Sequence, residues 1–475
     1  MQINPHIFRG YDLRGLAGED LNPLIAEHLG KAFGTFLLRR DIHDVVVGHD
    51  CRSTSSEYSV ALIKGLLSTG VDVVDIGMSL VGTLYWSQYY FKHKGGVFVT
   101  ASHNPAQYNG FKFAHDFSST LVYEELQELR KLAEIEDYII AGQPGKLKES
   151  GINDLYIKDL AGRFGKYKNF KVLIDSGNNN SALIAPELFR QVGCEVFEKN
   201  TNIDSSFPLG TPDPTDKIVM QRLADEVMSA GAGIGFTYDA DGDRLGVVGN
   251  QGEFVWNDVL VALFAADVLH DNPGAKIVFN TLCSKIVVDT IKNNGGIPVM
   301  CRTGHSFIKA KAKEVQAKFA GELSGHFFFL DKFYPHDDGP YATLRVLDYL
   351  SKTNQTLSQA IASLPFYISS PEIKVFCADD KKVELMSRIS PILKKDFPEA
   401  EVIDDERAAD GVRLELFDGM FVVRYSQNGP YLTVKFEAKT QEKYQELKQY
   451  IDKLLHQFGD IDWQSKMNVN IESLD

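Results

Sequence analysis

Gly95-Gly96-Val97-Phe98-Val99 runs directly into Thr100-Ala101-Ser102-His103-Asn104-Pro105, with Tyr108-Asn109-Gly110-Phe111-Lys112 close behind. The apolar run reads as a buried strand that ends in a polar turn. Ser102 is then expected on an exposed loop at a strand's C-terminal end, where open α/β sheets bind ligands. A serine held there can be a nucleophile or a phosphate carrier, provided something activates it or neutralises charge beside it. Ser, Asn and Pro are also ordinary turn formers. The surrounding sequence has to decide between the two.

Outward from this stretch, short β-branched runs at 45–48, 71–74, 97–99, 171–175, 233–236 and 276–279 alternate with amphipathic segments at 56–67, 182–191, 259–269 and 285–293. That rhythm predicts α/β layers with parallel or mixed sheets. It restarts about every hundred residues, as expected for several similar domains. Beyond Pro371 it changes to close-set strands at 413–416, 421–424 and 431–436, then a charged helix at 441–458. The predicted organisation is three similar mixed-sheet α/β domains, 1–151, 152–255 and 256–368, followed by a C-terminal α+β domain, 369–475.

At 475 residues the chain is too long for a single core. Its net charge of −14, with no basic tail, argues against nucleic acid or an anionic membrane as partner. The five cysteines (Cys51, Cys194, Cys283, Cys301, Cys377) are scattered and never form a CxxC pair. Reduced thiols in a cytoplasm are the expectation. The start of the chain shows no signal-peptide pattern, and no apolar run is long enough to span a bilayer.

Thr237-Tyr238-Asp239-Ala240-Asp241-Gly242-Asp243-Arg244 puts three carboxylates at alternating positions after an apolar strand. Carboxylates converging on one side repel each other unless a cation lies between them, and hard oxygen ligands suit Mg²⁺ or Ca²⁺. An EF-hand counted from Asp239 needs Gly and Glu where Arg244 and Asn250 stand, so that reading fails. Gly321-Glu322-Leu323-Ser324-Gly325-His326 offers a carboxylate and a hydroxyl suited to gripping adjacent sugar hydroxyls, and an imidazole for phosphate or proton work. Arg424-Tyr425-Ser426-Gln427-Asn428-Gly429 has the composition of a phosphate cradle. Ordinary loop hydrogen bonding competes in both cases. The segments Phe8–Gly15, Gly48-His49-Asp50-Cys51-Arg52 and Thr303–Lys309 add basic side chains on Gly-punctuated loops.

Taken in order, FRGYDLRG, TASHNP, DADGDR, TGHSFIK, GELSGH, Asp337-Asp338-Gly339 and RYSQNG resemble the α-D-phosphohexomutase superfamily over essentially the whole chain. The bacterial phosphomannomutase/phosphoglucomutase branch is the nearest in pattern. The resemblance implies four domains around a central cleft and a hexose 1-phosphate/6-phosphate mutase working through a hexose 1,6-bisphosphate. By it, Ser102 is the phosphoserine, and Asp239, Asp241 and Asp243 with Ser102 hold one Mg²⁺, while Arg244 and His103 neighbour the phosphate. Lys112 and His326, helped by Arg14, are implied to handle the proton of the attacking hydroxyl. Burial next to Arg14 is expected to lower the Lys112 pKa. Tyr11, His305, Glu322, Ser324, Arg424, Ser426, Gln427 and Asn428 are implied to bind substrate. The implied partner is a small phosphosugar, with no nucleic acid and no membrane, and the protein is expected to be a monomer or weak homodimer.

Departures from the family pattern are Gln427-Asn428 for Asn-Thr, Asn178 for a second Gly, a missing proline in 77–83, and Leu282 for a lysine. They point to altered substrate preference. Two other readings compete: a non-catalytic phosphosugar or divalent-ion binding protein on this scaffold, and a metal-dependent phosphatase.

Overall fold

The computed structural model describes residues 3–427 and 429–474. The strand Gly95–Val99 lies inside a sheet ordered Leu13–Leu16, Tyr108–His115, Gly95–Val99, Asp44–His49, Asp72–Met78, Leu147–Glu149. All five of its residues are buried, which is why it reads as an unbroken apolar run. It is parallel to Asp44–His49 but antiparallel to Tyr108–His115, so the chain returns directly as a strand after the serine loop. Leu13–Leu16 pairs antiparallel with that returning strand and sets Arg14 opposite Gly110. A Cβ at Gly110 would lie 2.0 Å from the Leu13 carbonyl oxygen, so this register requires glycine.

A second mixed sheet contains Leu245–Gly249, Ile234–Tyr238, Lys171–Asp175 and Glu195–Lys199 in that order. The acidic motif is the turn between its antiparallel strands Ile234–Tyr238 and Leu245–Gly249. The helix expected over 182–191 is broken: a 3₁₀ turn, Asn180–Leu183, precedes the α-helix Ala185–Gln191. Pro186 in the helix's first turn cannot donate to a preceding turn, so the helix restarts there. Asn178 has φ of 62°, a left-handed conformation that Asn tolerates, which accounts for Asn in place of Gly.

These sheets belong to a compact unit made of residues up to Pro214, Arg222–Glu253 and Tyr334–Ser351. A second unit comprises Thr215–Gln221, Phe254–Phe333 and the chain from Lys352 onward. It holds a sheet ordered Ile297–Cys301, Lys276–Asn280, Phe319–Gly321, Phe327–Phe328, with the predicted helix at Lys285–Asn293. Its C-terminal sheet runs Glu401–Ile403, Gly411–Glu415, Gly419–Tyr425, Tyr431–Ala438, Ile373–Cys377, Ile461–Asp462, with antiparallel neighbours throughout. Val412, Leu414, Phe421, Val423, Val434 and Phe436 form its core with residues of the helices Lys382–Asp396 and Gln441–Leu455. The fold is α/β with an α+β C-terminal region, as expected, although the last helix stops at Leu455 rather than at 458. Among the described residues, no helix is long and apolar enough to cross a membrane.

Candidate active site

Ser102 itself is buried, 1% accessible, although sequence predicts it on an exposed loop; the loop beyond it is half-buried at 103–106 and exposed at Gln107. Arg52 accounts for much of this. Its guanidinium donates to the carbonyl oxygens of Ser102 (2.6 Å), Asn104 (2.6 Å), Pro105 (2.8 Å) and Tyr108 (3.0 Å), drawing the loop onto the sheet. Asp50 holds Arg52 in turn, accepting from its Nε at 3.1 Å. Ser102 takes φ of 48°, a strained value for a residue with a Cβ, and its N–H donates to Thr100 Oγ1 at 2.8 Å. Ser102 Oγ then donates to Asp239 Oδ2 at 2.7 Å and lies 3.3 Å from His103 Nδ1.

Asp239, Asp241 and Asp243 converge, each offering an oxygen within 4.8 Å of the others. The turn closes through Gly242, at φ of 74°, where a Cβ would meet Leu80 at 2.7 Å. Around the carboxylates stand Lys112, whose Nζ donates to Asp241 (2.8 Å) and Asp243 (2.6 Å), and Arg244, 3.7 Å from Asp239. Arg14 donates to Asp12 (2.9 Å) and Asn104 (2.6 Å), anchoring the serine loop from its other side. Burial, then Asp243 and Asp241, push the Asp239 carboxyl well above the ordinary range. Burial raises Asp241 as well, but the Lys112 ammonium overrides it and leaves that carboxyl below its usual value.

The lowered pKa expected for Lys112 is not found. Burial does pull it down, yet Asp241 and Asp243 outweigh burial and hold the ammonium well above its ordinary value. Two carboxylates within 3 Å stabilise the charged form more than desolvation opposes it. The residues fit a hard dication: the donors are all carboxylate oxygens, they repel one another, and Asp241 Oδ1 is buried with no hydrogen-bond partner among the described residues.

In the second unit, Glu322 accepts from the Gly304 N–H at 2.7 Å and from Ser324 Oγ at 3.3 Å. The rings of His305 and His326 lie 5.4 Å apart. Arg424 pairs with Asp410, and its Nε is buried without a hydrogen-bond partner among the described residues. Gln427 Nε2 donates to the same Asp410 at 3.3 Å, and Lys382 holds the Gly429 carbonyl at 3.0 Å. Asn428 lies outside the described residues. Leu282 is buried, and Lys285, three residues on, is bound to Glu415 at 2.6 Å.

Four family descriptions of phosphoglucomutase/phosphomannomutase match in sequence: alpha/beta/alpha domain I at residues 5–138, domain II at 154–252, domain III at 256–367 and the C-terminal domain at 372–454. The chain belongs to the phosphoglucomutase/phosphomannomutase family. With that family it is an isomerase of the phosphohexomutase superfamily. Its relatives include a phosphomannomutase/phosphoglucomutase of Pseudomonas putida, 37% identical over 93% of this chain and 94% of that protein. A phosphoglucomutase of Neisseria gonorrhoeae is 34% identical over 92% of this chain and 94% of its own. A crystal structure of a phosphoglucomutase/phosphomannomutase family protein from Burkholderia thailandensis superposes with TM-score 0.85 at 32% identity, covering 96% of this chain and 98% of that one.

Within the first unit of this phosphohexomutase, Ser102, His103, Lys112, Arg14, Arg244 and the three aspartates come together. Tyr11 lies near both Arg14 and Arg244. For several working residues the sequence shows a motif but not the role. Arg52 lies in a segment notable only for its basic side chain, and Thr100, part of the serine motif, joins the serine backbone to Asp241 Oδ2 at 3.2 Å. Asp410 precedes the Gly411–Glu415 strand with nothing around it to mark it as the partner of Arg424.

Proposed function

We propose that this protein is a Mg²⁺-dependent phosphosugar mutase interconverting the 1- and 6-phosphates of glucose or mannose through a phosphorylated Ser102 and a hexose 1,6-bisphosphate. The observation that carries this reading is the 2.7 Å contact between Ser102 Oγ and Asp239 inside a triplet of buried carboxylates. A divalent cation on Asp239, Asp241, Asp243 and the serine oxygen would offset the charge of a phosphoryl group there. Arg244, His103 and Arg14 surround the serine with donors for phosphoryl oxygens, and electrostatic stabilisation of this kind is the main requirement of phosphoryl transfer. Asp241 and Asp243 favour the charged form of Lys112, and a divalent cation on those carboxylates would weaken that hold. Lys112 can hold charge or give a proton back. His326, whose ring nitrogens can accept as well as donate, is the better acceptor for the proton of the attacking hydroxyl.

In this scheme Glu322 and Ser324 grip sugar hydroxyls, with Tyr11 and His305 as further substrate contacts. Arg424, Ser426, Gln427 and Asn428 hold the phosphate that is not transferred. The four-domain division at about 151, 255 and 368 is part of the same reading. A serine 1% accessible must be uncovered before a phosphosugar reaches it, so each cycle includes an opening step. The five cysteines are buried and none is in a disulfide, which fits a cytoplasmic enzyme, and we assign it as a monomer or weak dimer.

Purified protein supplied with Mg²⁺ and a trace of hexose 1,6-bisphosphate should convert glucose 1-phosphate or mannose 1-phosphate to the 6-phosphate. Inactivity toward glucose, mannose and glucosamine phosphates rejects the proposal. One observation favours a non-catalytic binding protein instead: the Gln427 amide is already engaged by Asp410. On that reading phosphosugars bind, Ser102 never carries phosphate, and no turnover exists for Ser102→Ala to abolish.

A further inference from the structure

Along the strand Gly411–Glu415, Val412 and Leu414 face the apolar core, so Arg413 and Glu415 project from the opposite face. The same alternation on Tyr431–Ala438 puts Lys435 and Glu437 on that face. Arg413, Lys435 and Glu437 are nonetheless wholly buried, and Arg413 is among the largest fully buried side chains in the chain. Apolar residues could fill such a place at no loss of stability. A buried arginine kept there calls for another reason.

Arg413 pairs with Glu415 at 2.8 Å through its Nε and donates to the carbonyls of Thr281 (2.6 Å) and Cys283 (2.5 Å). These carbonyls belong to the turn after the strand Lys276–Asn280, in a different sheet. Asn280 is the hub of that turn. Its Oδ1 accepts from the Cys283 thiol (3.0 Å) and from the Leu323 N–H (3.1 Å), and its Nδ2 donates to Thr303 Oγ1 (3.2 Å). Leu323 stands between Glu322 and Ser324. Thr303 precedes Gly304, whose N–H donates to Glu322.

We propose that Arg413 is a positioning residue for the Glu322–Ser324 grip, acting from the C-terminal sheet through the 281–283 carbonyls and Asn280. The proposal rests on the reading of Glu322 and Ser324 as sugar contacts in a mutase. It makes sugar affinity depend on how the C-terminal sheet docks against the 280–284 turn.

The test is a double-mutant cycle of Arg413→Lys and Glu322→Gln, reading KM and kcat for glucose 1-phosphate together with the melting temperature. Lysine keeps the charge but loses the planar fork that reaches Glu415 and both carbonyls at once. In the wild-type background Arg413→Lys raises KM about tenfold, with kcat changing far less. In the Glu322→Gln background the further rise is below about twofold, because the grip is already lost. An equal fold-loss in both backgrounds, or a fall in kcat with KM unmoved, overturns the proposal. Should Arg413→Lys not fold, Asn280→Asp is cycled against Glu322→Gln with the same two outcomes: it keeps an acceptor for both Oδ1 contacts, loses the donor to Thr303 and adds a buried carboxyl. If the wild-type protein turns over no hexose phosphate, the mutase reading fails by itself. The cycle is then read as dissociation constants for glucose 1-phosphate by calorimetry, where non-additivity supports the coupling and additivity removes it.

Discussion

The serine loop and the turn at 280–284 are held in the same way, by a buried arginine donating to backbone carbonyls, but the arginines come from different places. Arg52 follows Asp44–His49, the strand beside Gly95–Val99 in the serine's own sheet, so the loop is fixed as soon as that sheet forms. Arg413 reaches the 280–284 turn from another sheet. On the proposed reading, the serine that would carry phosphate is set within its own sheet, whereas the grip on the sugar would be set by docking between sheets. A mutase would gain from that difference, because a bisphosphate intermediate would have to turn around while the phosphate acceptor stays where it is.

The harshest way to break the comparison is at the serine itself. Ser102→Ala should lower turnover of glucose 1-phosphate by more than about a thousandfold while leaving the melting temperature near the wild-type value, since only the hydroxyl contacts with Asp239 and His103 are lost. Next comes the acidic triplet. Chelation should abolish turnover and Mg²⁺ should restore it, and Asp241→Asn should raise the Mg²⁺ concentration for half-activity by at least about tenfold in a titration. Arg52→Lys tests the local clamp: with four carbonyls left to a point charge, the protein should lose about 2–4 kcal/mol of stability in a thermal melt. A stable Arg52→Lys protein with reduced sugar affinity would invert the contrast drawn with Arg413.

The smallest effect concerns pH. Burial lifts the Asp338 carboxyl from 3.8 to about 7, although hydrogen bonds from Tyr156 and the Tyr341 N–H oppose the rise. Between those values the folded protein keeps a proton that the unfolded chain has released, so this group's contribution to stability falls as pH rises, by up to about 1.4 kcal/mol per unit. Above about 7 both states are ionised and the slope ends. Asp338→Asn keeps the helix cap on Tyr341 at 2.8 Å and cannot ionise. Its melting temperature relative to wild type should therefore climb from pH 5 to pH 8. A constant difference across that range would contradict the assignment.

Much of this was legible in the sequence because it rests on local pattern. The buried strand before Ser102 and the change of rhythm after Pro371 are periodicities that backbone geometry enforces, and the carboxylate triplet was legible from its charge density, although a turn rather than a strand brings it together. The broken helix at 180–191 and the early end at Leu455 turned on single residues and capping, which periodicity does not report. The harder losses are long-range. Arg52 acts on carbonyls fifty residues away, and Arg413 on carbonyls 130 residues away, with no side-chain pattern at the receiving end. The charge state of Lys112 could not be read either, because burial and two carboxylates act in opposite directions and only distances decide between them.

The most direct test of the account is the phosphate on Ser102. Protein incubated with glucose 1,6-bisphosphate and Mg²⁺ is digested, and the peptide containing residues 100–112 is weighed by mass spectrometry before and after a chase with glucose 1-phosphate. The account predicts one phosphoryl group on Ser102 that disappears in the chase as sugar bisphosphate forms. An unmodified Ser102 in a protein that still interconverts the two monophosphates would contradict it.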